Sequence, residues 1–270
     1  MTQETKNCQN CKNDFVIEPE DFKFYDKIKV PAPTFCPECR TKRRLIWRNE
    51  RTLYKRDCGL CGNSMISMYN PNSRYIVYCH KCYESDRWDP MSYGRDIDPT
   101  KPFFEQLNNL FLAAPKRNLH IGTPTKDTQY TNFSGENKNC YLIFNSGASE
   151  DCYYSRGLRI CRGTFDTYYA TGAENCYESI NINKSYGLRF SQNTSDSVDS
   201  WFLLNCSNCQ NCFGCVNLRN KQYHYFNEQF SKEEYENKVK EFQGSYSKLQ
   251  EMIKLFNKHS LKFPRRENNN

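Results

Sequence analysis

Apolar and polar positions follow a short repeat over a long stretch of the chain, from about residue 129 to 226. Brief apolar runs such as 141–144 are typical of alternating strands, and Ser, Asn and Gly turns separate them. Asn/Asp-Cys-Tyr recurs at 139–141, 151–153 and 175–177, and successive aromatics stand 9 to 15 residues apart. Units this small are stable only when stacked, so the pattern predicts a mainly-β domain, a right-handed parallel β-solenoid. A β-sandwich is the alternative.

Helical periodicity flanks this repeat on both sides. Apolar residues recur at steps of three and four from Phe103 to Phe111, between Pro102 and Pro115, which predicts a short helix. After the repeat, a capping box at 231–234 opens a similar pattern and predicts one C-terminal amphipathic helix of roughly 25 residues. We expect its apolar stripe to pack along its own domain, with a partner helix as the alternative.

The cysteines divide the chain along the same lines. Eight of the sixteen form four CxxC pairs within residues 1–82, none lies between 83 and 139, and the others fall within 140–215. The predicted organisation is a zinc ribbon with a basic helix at 1–57, a second ribbon at 58–87, a linker and short helix at 88–128, Cys/Tyr-rich solenoid repeats at 129–228, and a C-terminal helix and tail at 229–270.

Composition explains why cysteine matters here. The apolar share, counted with Gly and without Tyr, is about 34%, below the roughly 45–50% of ordinary globular chains, so an aliphatic core is scarce. The N-terminus has no apolar signal region and no stretch is long and apolar enough for a membrane span. We therefore expect a cytoplasmic protein whose cysteines are metal ligands and buried thiols rather than disulfides.

Paired cysteines at this spacing are typical of tetrahedral zinc sites. With four thiolates at each ion and no open position or general base, the sites are predicted to be structural. His80 lies inside the fourth pair as an alternative ligand, although four thiolates already complete the set. A cross-brace, joining the first pair to the third, is the alternative to sequential pairing. The sequence predicts two Zn²⁺ ions on Cys8, Cys11, Cys36, Cys39, Cys58, Cys61, Cys79 and Cys82.

Residues 8–40 resemble the small "probable zinc-ribbon" family, whose pattern is CxxC, a Phe four residues later, Phe-Tyr before a basic loop, then Pro and CPxCR. The resemblance implies a treble-clef-like ribbon with sequential pairing. The whole chain is similar to uncharacterised bacterial proteins that have two zinc ribbons and a Cys/Tyr-rich repeat tail. In this chain the matching tail ends with residues 214–235. Some carry a CaiB/BaiF CoA-transferase label, but that family resembles a much longer α/β dimer with an Asp nucleophile. The matching residues of the ribbon are Cys8, Cys11, Phe15, Phe24, Tyr25, Pro33, Cys36, Pro37, Cys39 and Arg40.

A dense cysteine run closes the repeat region. It superficially resembles a ferredoxin cluster motif, but its last gap is two residues and Val216 replaces the usual Pro. We interpret these residues as small buried hydrophobes on tight turns, with a third metal site as the alternative. Cys140, Cys152 and Cys176 are predicted to be core, because each precedes a Tyr at an equivalent repeat position. The run comprises Cys206, Cys209, Cys212 and Cys215.

The net charge of +7 is concentrated near the ribbons, with fifteen basic and nine acidic residues in 1–82. Residues 40–56 hold eight cations against one acid, and a helix commonly follows the second knuckle of a treble clef. Converging cations and aromatics predict a nucleic-acid partner, RNA or single-stranded DNA. The alternatives are a protein partner, or no partner and a solvated helix face that packs on the ribbon through Leu45, Ile46, Trp47 and Leu53. The candidate nucleic-acid-binding residues are Arg40, Lys42, Arg43, Arg44, Trp47, Arg48, Arg51, Lys55 and Arg56.

The sequence contains none of the catalytic motifs GxGxxG, Walker A, GxSxG and HExxH. Its four His residues are scattered along the chain. We therefore expect a non-enzymatic zinc protein that binds nucleic acid and uses the solenoid as a rigid scaffold. The alternative is a protein- or glycan-interaction scaffold, in which the solenoid is the binding surface and the ribbons are structural caps. A carbohydrate-active face would need grouped carboxylates, for which the nearest candidates are Asp166, Glu174, Asp196 and Asp199.

Overall fold

The structure is a computed structural model that describes residues 2–46, 49–240, 242 and 245–265. The chain forms two compact units, residues 1–49 and 50–270. In the first, strands β1 (Glu4–Asn7) and β2 (Asp14–Ile17) make an antiparallel hairpin, followed by helices α1 (Pro19–Lys27) and α2 (Pro37–Leu45). Its small core consists of apolar side chains of β2 packed on the first cysteine cluster.

The second unit begins with another hairpin, β3 (Tyr54–Asp57) and β4 (Ser64–Ser67). Strand β5 (Val77–Tyr78), helix α3 (His80–Tyr83), a 3-10 turn and helix α4 (Phe103–Ala113) follow, so the short predicted helix is confirmed. Strand β6 (Lys116–Arg117) pairs in parallel with β5. The ribbon-like segment is therefore hydrogen-bonded to the chain that enters the repeat region.

The repeat region is a parallel β-solenoid with a turn of twelve residues. Successive β-bridges each join a residue to the one twelve positions later, from Lys126↔Lys138 to Ser207↔Arg219. All of these bridges are parallel. This pairing confirms the solenoid and excludes the antiparallel sandwich. The longer strands are β7 (Arg156–Arg159), β8 (Tyr168–Thr171), β9 (Ile180–Asn183), β10 (Gln192–Ser195), β11 (Gln210–Phe213) and β12 (Gln222–Tyr225).

Each turn has four sides of three residues, and the three have fixed roles. Tyr153 bridges to the next turn, Tyr154 has a left-handed backbone (φ 52°), and Ser155 is buried inside. The periodicity along the chain is thus three, and the predicted alternation of period two was wrong. Asn, Asp and Gly tolerate positive φ best, which explains why Asn recurs at positions such as Asn193 (φ 52°) and Asn205 (φ 61°).

The inward positions carry mostly Cys, Ser, Thr and Ala, because twelve residues enclose little space. Buried hydroxyls belong to the hydrogen-bond network: Ser197 Oγ donates to the Ser195 carbonyl (2.8 Å) and accepts the Cys209 N–H (3.1 Å). Cys140 and Cys152 are buried one turn apart, as predicted, and Cys176 lies two turns further on. The low aliphatic share of the sequence follows from this narrow core.

The C-terminal end is closed by β13 (Glu228–Gln229), antiparallel to β12, and by two helices, α5 (Lys232–Lys240) and α6 (Tyr246–Ser260). The predicted capping box is present, with the Ser231 N–H on Glu234 Oε2 at 2.9 Å. The prediction of one continuous helix was wrong, because Ser245 has an extended backbone (φ −115°, ψ 114°) and is the N-cap of a second helix, α6. The two helices pack on aromatic side chains of the solenoid, as expected for the apolar stripe. In the described part of the chain, no helix is long and apolar enough to cross a membrane.

Candidate metal centres and cationic helix

The first cysteine cluster is assembled by the β1–β2 hairpin and the start of α2. Cys8 and Cys11 occupy the hairpin turn, where Lys12 adopts a positive φ of 65°. Cys36 is the N-cap of α2 and Cys39 lies in its first turn. The four Sγ atoms all lie within 4.8 Å of one another.

The second cluster repeats this arrangement 50 residues later in its hairpin, with Cys58 and Cys61 in the β3–β4 turn and Cys79 and Cys82 at the start of α3. The turn hydrogen bonds match as well: the Cys8 N–H reaches the Asn13 carbonyl at 2.9 Å, and the Cys58 N–H reaches the Asn63 carbonyl at 2.9 Å. The two ribbons are therefore one design used twice. Sequence reasoning missed this duplication, although Cys-x2-Cys-x-Asn stands at both 8–13 and 58–63.

Both clusters fit a tetrahedral metal ion. Four thiolates at about 2.3 Å from one ion are separated from each other by about 3.8 Å. The structure places Cys11 Sγ 3.8 Å from Cys36 Sγ, and Cys61 Sγ 4.0 Å from Cys79 Sγ. These contacts join the first pair to the second and the third to the fourth, so sequential pairing is confirmed and the cross-brace is excluded.

Backbone N–H groups favour ionised sulfur in both clusters. The N–H of Cys36 donates to Cys8 Sγ at 3.2 Å, and that of Cys79 donates to Cys58 Sγ at 3.2 Å. Burial opposes ionisation, but these and neighbouring backbone donors outweigh it and lower the pKa of Cys8 and of Cys58 to about 6. Burial and the three neighbouring thiols raise the pKa of Cys82 to about 12. A bound cation would relieve the repulsion among the four sulfurs that this contrast reflects.

The second ribbon is fixed to the first turns of the solenoid. Asn118 Nδ2 donates to the Ile66 carbonyl at 2.7 Å, and the Met68 N–H donates to the Asn118 carbonyl at 2.9 Å. Just before the ribbon, Glu50 forms a mostly buried ion pair with Arg156, whose Nη2 lies 3.1 Å from Glu50 Oε2. Several independent contacts thus hold this ribbon against the repeat domain.

His80 is exposed and its ring faces Arg117, with Nδ1 2.6 Å from Arg117 Nη2. The same guanidinium also pairs with Glu84 at 3.4 Å. The cluster of four sulfurs does not include the imidazole. His80 therefore lies beside the second site and is not one of its ligands.

The predicted basic helix after the second knuckle is present as α2, and it carries four of the candidate cations, Arg40, Lys42, Arg43 and Arg44. Lys42 pairs with Glu38 at 2.8 Å at the exposed surface. Leu45 is 67% exposed and Ile46 is 81% exposed, so these two side chains do not pack on the ribbon as the solvated-helix alternative required. The candidates Trp47 and Arg48 lie outside the described residues.

The remaining candidates belong to the second unit, because α2 ends at Leu45. Arg51 stacks on Phe144 with its guanidinium carbon 5.8 Å from the ring centre, and Lys55 is exposed on β3. Arg56 donates to the carbonyls of Asn70 (3.2 Å) and Tyr75 (3.1 Å). Arg56 is thus occupied in holding a loop of the second ribbon, and the candidate set is not a single rod.

The cysteine run from Cys206 to Cys215 occupies the four inward positions of one turn, and all four thiols are buried. Each donates to backbone carbonyls, as Cys206 Sγ does to Leu204 at 3.4 Å. Within the described ranges, the groups of sulfurs close enough for one ion are the two ribbon clusters, and this turn is not among them. Its placement is that of packed thiols.

The carboxylates considered for a carbohydrate-active face do not converge. Their positions within the twelve-residue turn place them on three different sides of the solenoid. His224, another residue of that region, is buried and its ring Nδ1 lies 2.9 Å from the Gln222 carbonyl. The four carboxylates are Asp166, Glu174, Asp196 and Asp199.

Comparison with protein-family models finds no match to this chain, and comparison with curated proteins finds none either.

Proposed function

We propose that this protein binds two structural Zn²⁺ ions and contacts single-stranded nucleic acid, RNA or DNA, through α2. Four thiolates at tetrahedral separations, without an oxygen ligand, are the donor set that zinc prefers in structural sites. We also propose that residues 8–40 belong with the zinc-ribbon family that they resemble. A cytoplasmic location is part of the proposal, because all sixteen cysteines are free thiols and a reducing compartment preserves them.

The observation that carries the nucleic-acid proposal is the surface of α2. Its nine residues contain four cations and one acid, and Cys36 and Cys39 would anchor its N-terminus to the metal. Phosphates are bound by such converging cations, and the release of counterions makes the affinity depend on salt. The exposed Leu45 and Ile46 at the end of the helix offer apolar contact to unpaired bases. In this proposal the solenoid is a rigid scaffold.

The test is fluorescence anisotropy with labelled single-stranded RNA, single-stranded DNA and duplex DNA over a salt series. Arg43→Ala with Arg44→Ala removes two cations of α2. Lys23→Ala with Lys27→Ala removes two exposed cations of α1 and is the matched control. We expect the α2 variant to lose at least about tenfold in affinity and to reduce the log–log salt slope by about 1.4, at 0.7 per phosphate contact. Equal effects of both variants, or no binding by the native protein at low salt, would refute the proposal.

A second candidate function uses the solenoid as the binding surface for a protein or glycan, with the ribbons as structural caps. The packing of the second ribbon on the first turns favours it, through Asn118 and the Glu50–Arg156 ion pair. Under this candidate, a partner captured by the intact protein still binds after Arg43→Ala with Arg44→Ala. Loss of that binding in the α2 variant would reject the candidate.

A further inference from the structure

Helix α4 presents an apolar face that nothing in the described chain covers fully. Phe103 is 55% exposed, Phe104 80%, Leu107 43% and Phe111 49%. At roughly 200 Å² per phenylalanine side chain, the three rings expose about 370 Å², which is the size of the largest apolar patch on a typical monomer, a patch that is often functional. The helix carries one charge, Glu105, so its surface favours an apolar partner.

A second uncovered apolar surface follows one edge of the solenoid. Aromatic residues occupy the same bridging position in successive turns, and we call this column the aromatic ladder. Tyr153 and Phe165 are stacked at 4.9 Å with ring planes 10° apart. Phe165 and Tyr177 are each 39% exposed, and Tyr154, beside them, is 56% exposed. The ladder runs through Tyr141, Tyr153, Phe165, Tyr177, Arg189, Trp201, Phe213 and Tyr225.

The C-terminal half of the same ladder is already covered by helices of this chain. Phe213 is 1% exposed and stacks at 5.8 Å on Phe242, which lies between α5 and α6. Phe256 of α6 contacts Phe202, which follows the ladder residue Trp201, at 5.6 Å. Leu249 and Met252 of α6 belong to the same packed cluster. The ladder therefore binds an amphipathic helix over one half of its length and is continuous with an uncovered half.

The apolar side chains of α4 have the spacing of the helix that covers the ladder. Phe104, Leu107 and Phe111 stand three and four residues apart, as Leu249, Met252 and Phe256 of α6 do. In addition, Lys116 Nζ lies 3.4 Å from the ring centre of Phe111 and adds a positive charge to the α4 face, while Asp166 and Glu178 lie beside the exposed half of the ladder. Side-chain spacing, polarity and charge are thus matched between two surfaces of one chain.

We propose that the protein forms a dimer in which α4 of each copy packs on the exposed half of the aromatic ladder of the other. Because each copy contributes one α4 and one ladder, this arrangement is a closed dimer with twofold symmetry and two equal contacts. The same estimate gives about 270 Å² for the exposed rings of Tyr154, Phe165 and Tyr177. Two contacts between this face and the roughly 370 Å² of α4 therefore bury about 1,300 Å², within the range of stable interfaces. This proposal is independent of zinc identity and of nucleic-acid binding.

The experiment is sedimentation velocity of the full chain, combined with a photo-crosslinking residue in place of Phe104. We expect a species of about twice 32.0 kDa, and crosslinks from position 104 to peptides of the 141–177 region of the other copy. Phe104→Glu with Leu107→Glu, and separately Phe165→Ser with Tyr177→Ser, should each weaken the dimer at least about tenfold.

Ile160→Glu is the control, since Ile160 is 70% exposed on another side of the solenoid and should leave the dimer unchanged. Circular dichroism and thermal unfolding establish that every variant remains folded. A monomer at all concentrations, crosslinks from position 104 to α4 of the partner, or a dimer insensitive to the ladder variant would each overturn the proposal.

Discussion

The buried serines of the solenoid give the most direct test of how the fold is held together. Ser197 is completely buried, and its hydroxyl is the described partner of the Cys209 N–H one turn later. Ser197→Ala removes this acceptor and leaves a buried N–H unpaired, which costs about 1–3 kcal/mol. At about 2 kcal/mol, exchange of the Cys209 amide through local opening accelerates about thirtyfold.

Hydrogen exchange read by mass spectrometry or NMR is the appropriate assay, because repeat domains do not always unfold in one step. Ser195→Ala is the matched control, since Ser195 lies on the same side of the same turn but faces outward. Ser197→Cys should fall between the two, because inward cysteines such as Cys209 still donate to the equivalent carbonyl. If Ser197→Ala and Ser195→Ala exchange alike at Cys209, the hydroxyl network does not support the core.

Three further outcomes are expected. Elemental analysis should find two zinc ions per chain, and Cys36→Ala with Cys39→Ala should remove one of them and unfold α2 by circular dichroism; unchanged zinc would contradict the site. Glu50→Gln should destabilise the second unit in urea unfolding by about 1–3 kcal/mol, because it removes the charge paired with the mostly buried Arg156, which keeps its hydrogen bonds to Tyr168 and Tyr169; a change below about 0.5 kcal/mol would mean that solvent screens the pair. Asn193→Val should cost about 1–2 kcal/mol at its positive φ, whereas Asn193→Gly should be nearly neutral in the same assay.

The sequence predicted the metal clusters and the solenoid because both depend on spacing that the residues display directly. The CxxC pairs predict the metal ligands. The Cys-Tyr repeat predicts that Cys140, Cys152 and Cys176 are buried at equivalent positions of the turns. Apolar periodicity does not reveal the period of three, because the inward residues are mainly Ser, Thr and Cys, which are not strongly apolar. Serine is stable in this core because its hydroxyl is hydrogen-bonded. Some of those bonds reach the next turn, so they can be recognised only once the stacking of turns is known.

Other errors have local causes. The apolar spacing predicts one long C-terminal helix because it continues past Phe242, yet Ser245 is an N-cap residue, and its hydroxyl accepts the Lys248 N–H where α6 begins. Charge density alone predicts one cationic surface over residues 40–56, because it carries no information about where one unit ends and the next begins. The units divide at Asn49 and Glu50, so Arg56 acts within the second ribbon while Arg43 and Arg44 remain on α2.

The twelve-residue turn gives this protein a fixed unit of growth. Adding or deleting twelve residues changes the solenoid by one strand spacing, about 4.8 Å, and leaves every other side chain on its own side. An insertion of three residues between Tyr153 and Phe165 instead moves all later residues a quarter turn relative to the earlier turns, so that Phe165 would no longer stack on Tyr153. The domain therefore tolerates changes in length by whole turns of twelve residues, which keep the stacking of side chains between turns. Insertions or deletions of part of a turn disrupt that stacking.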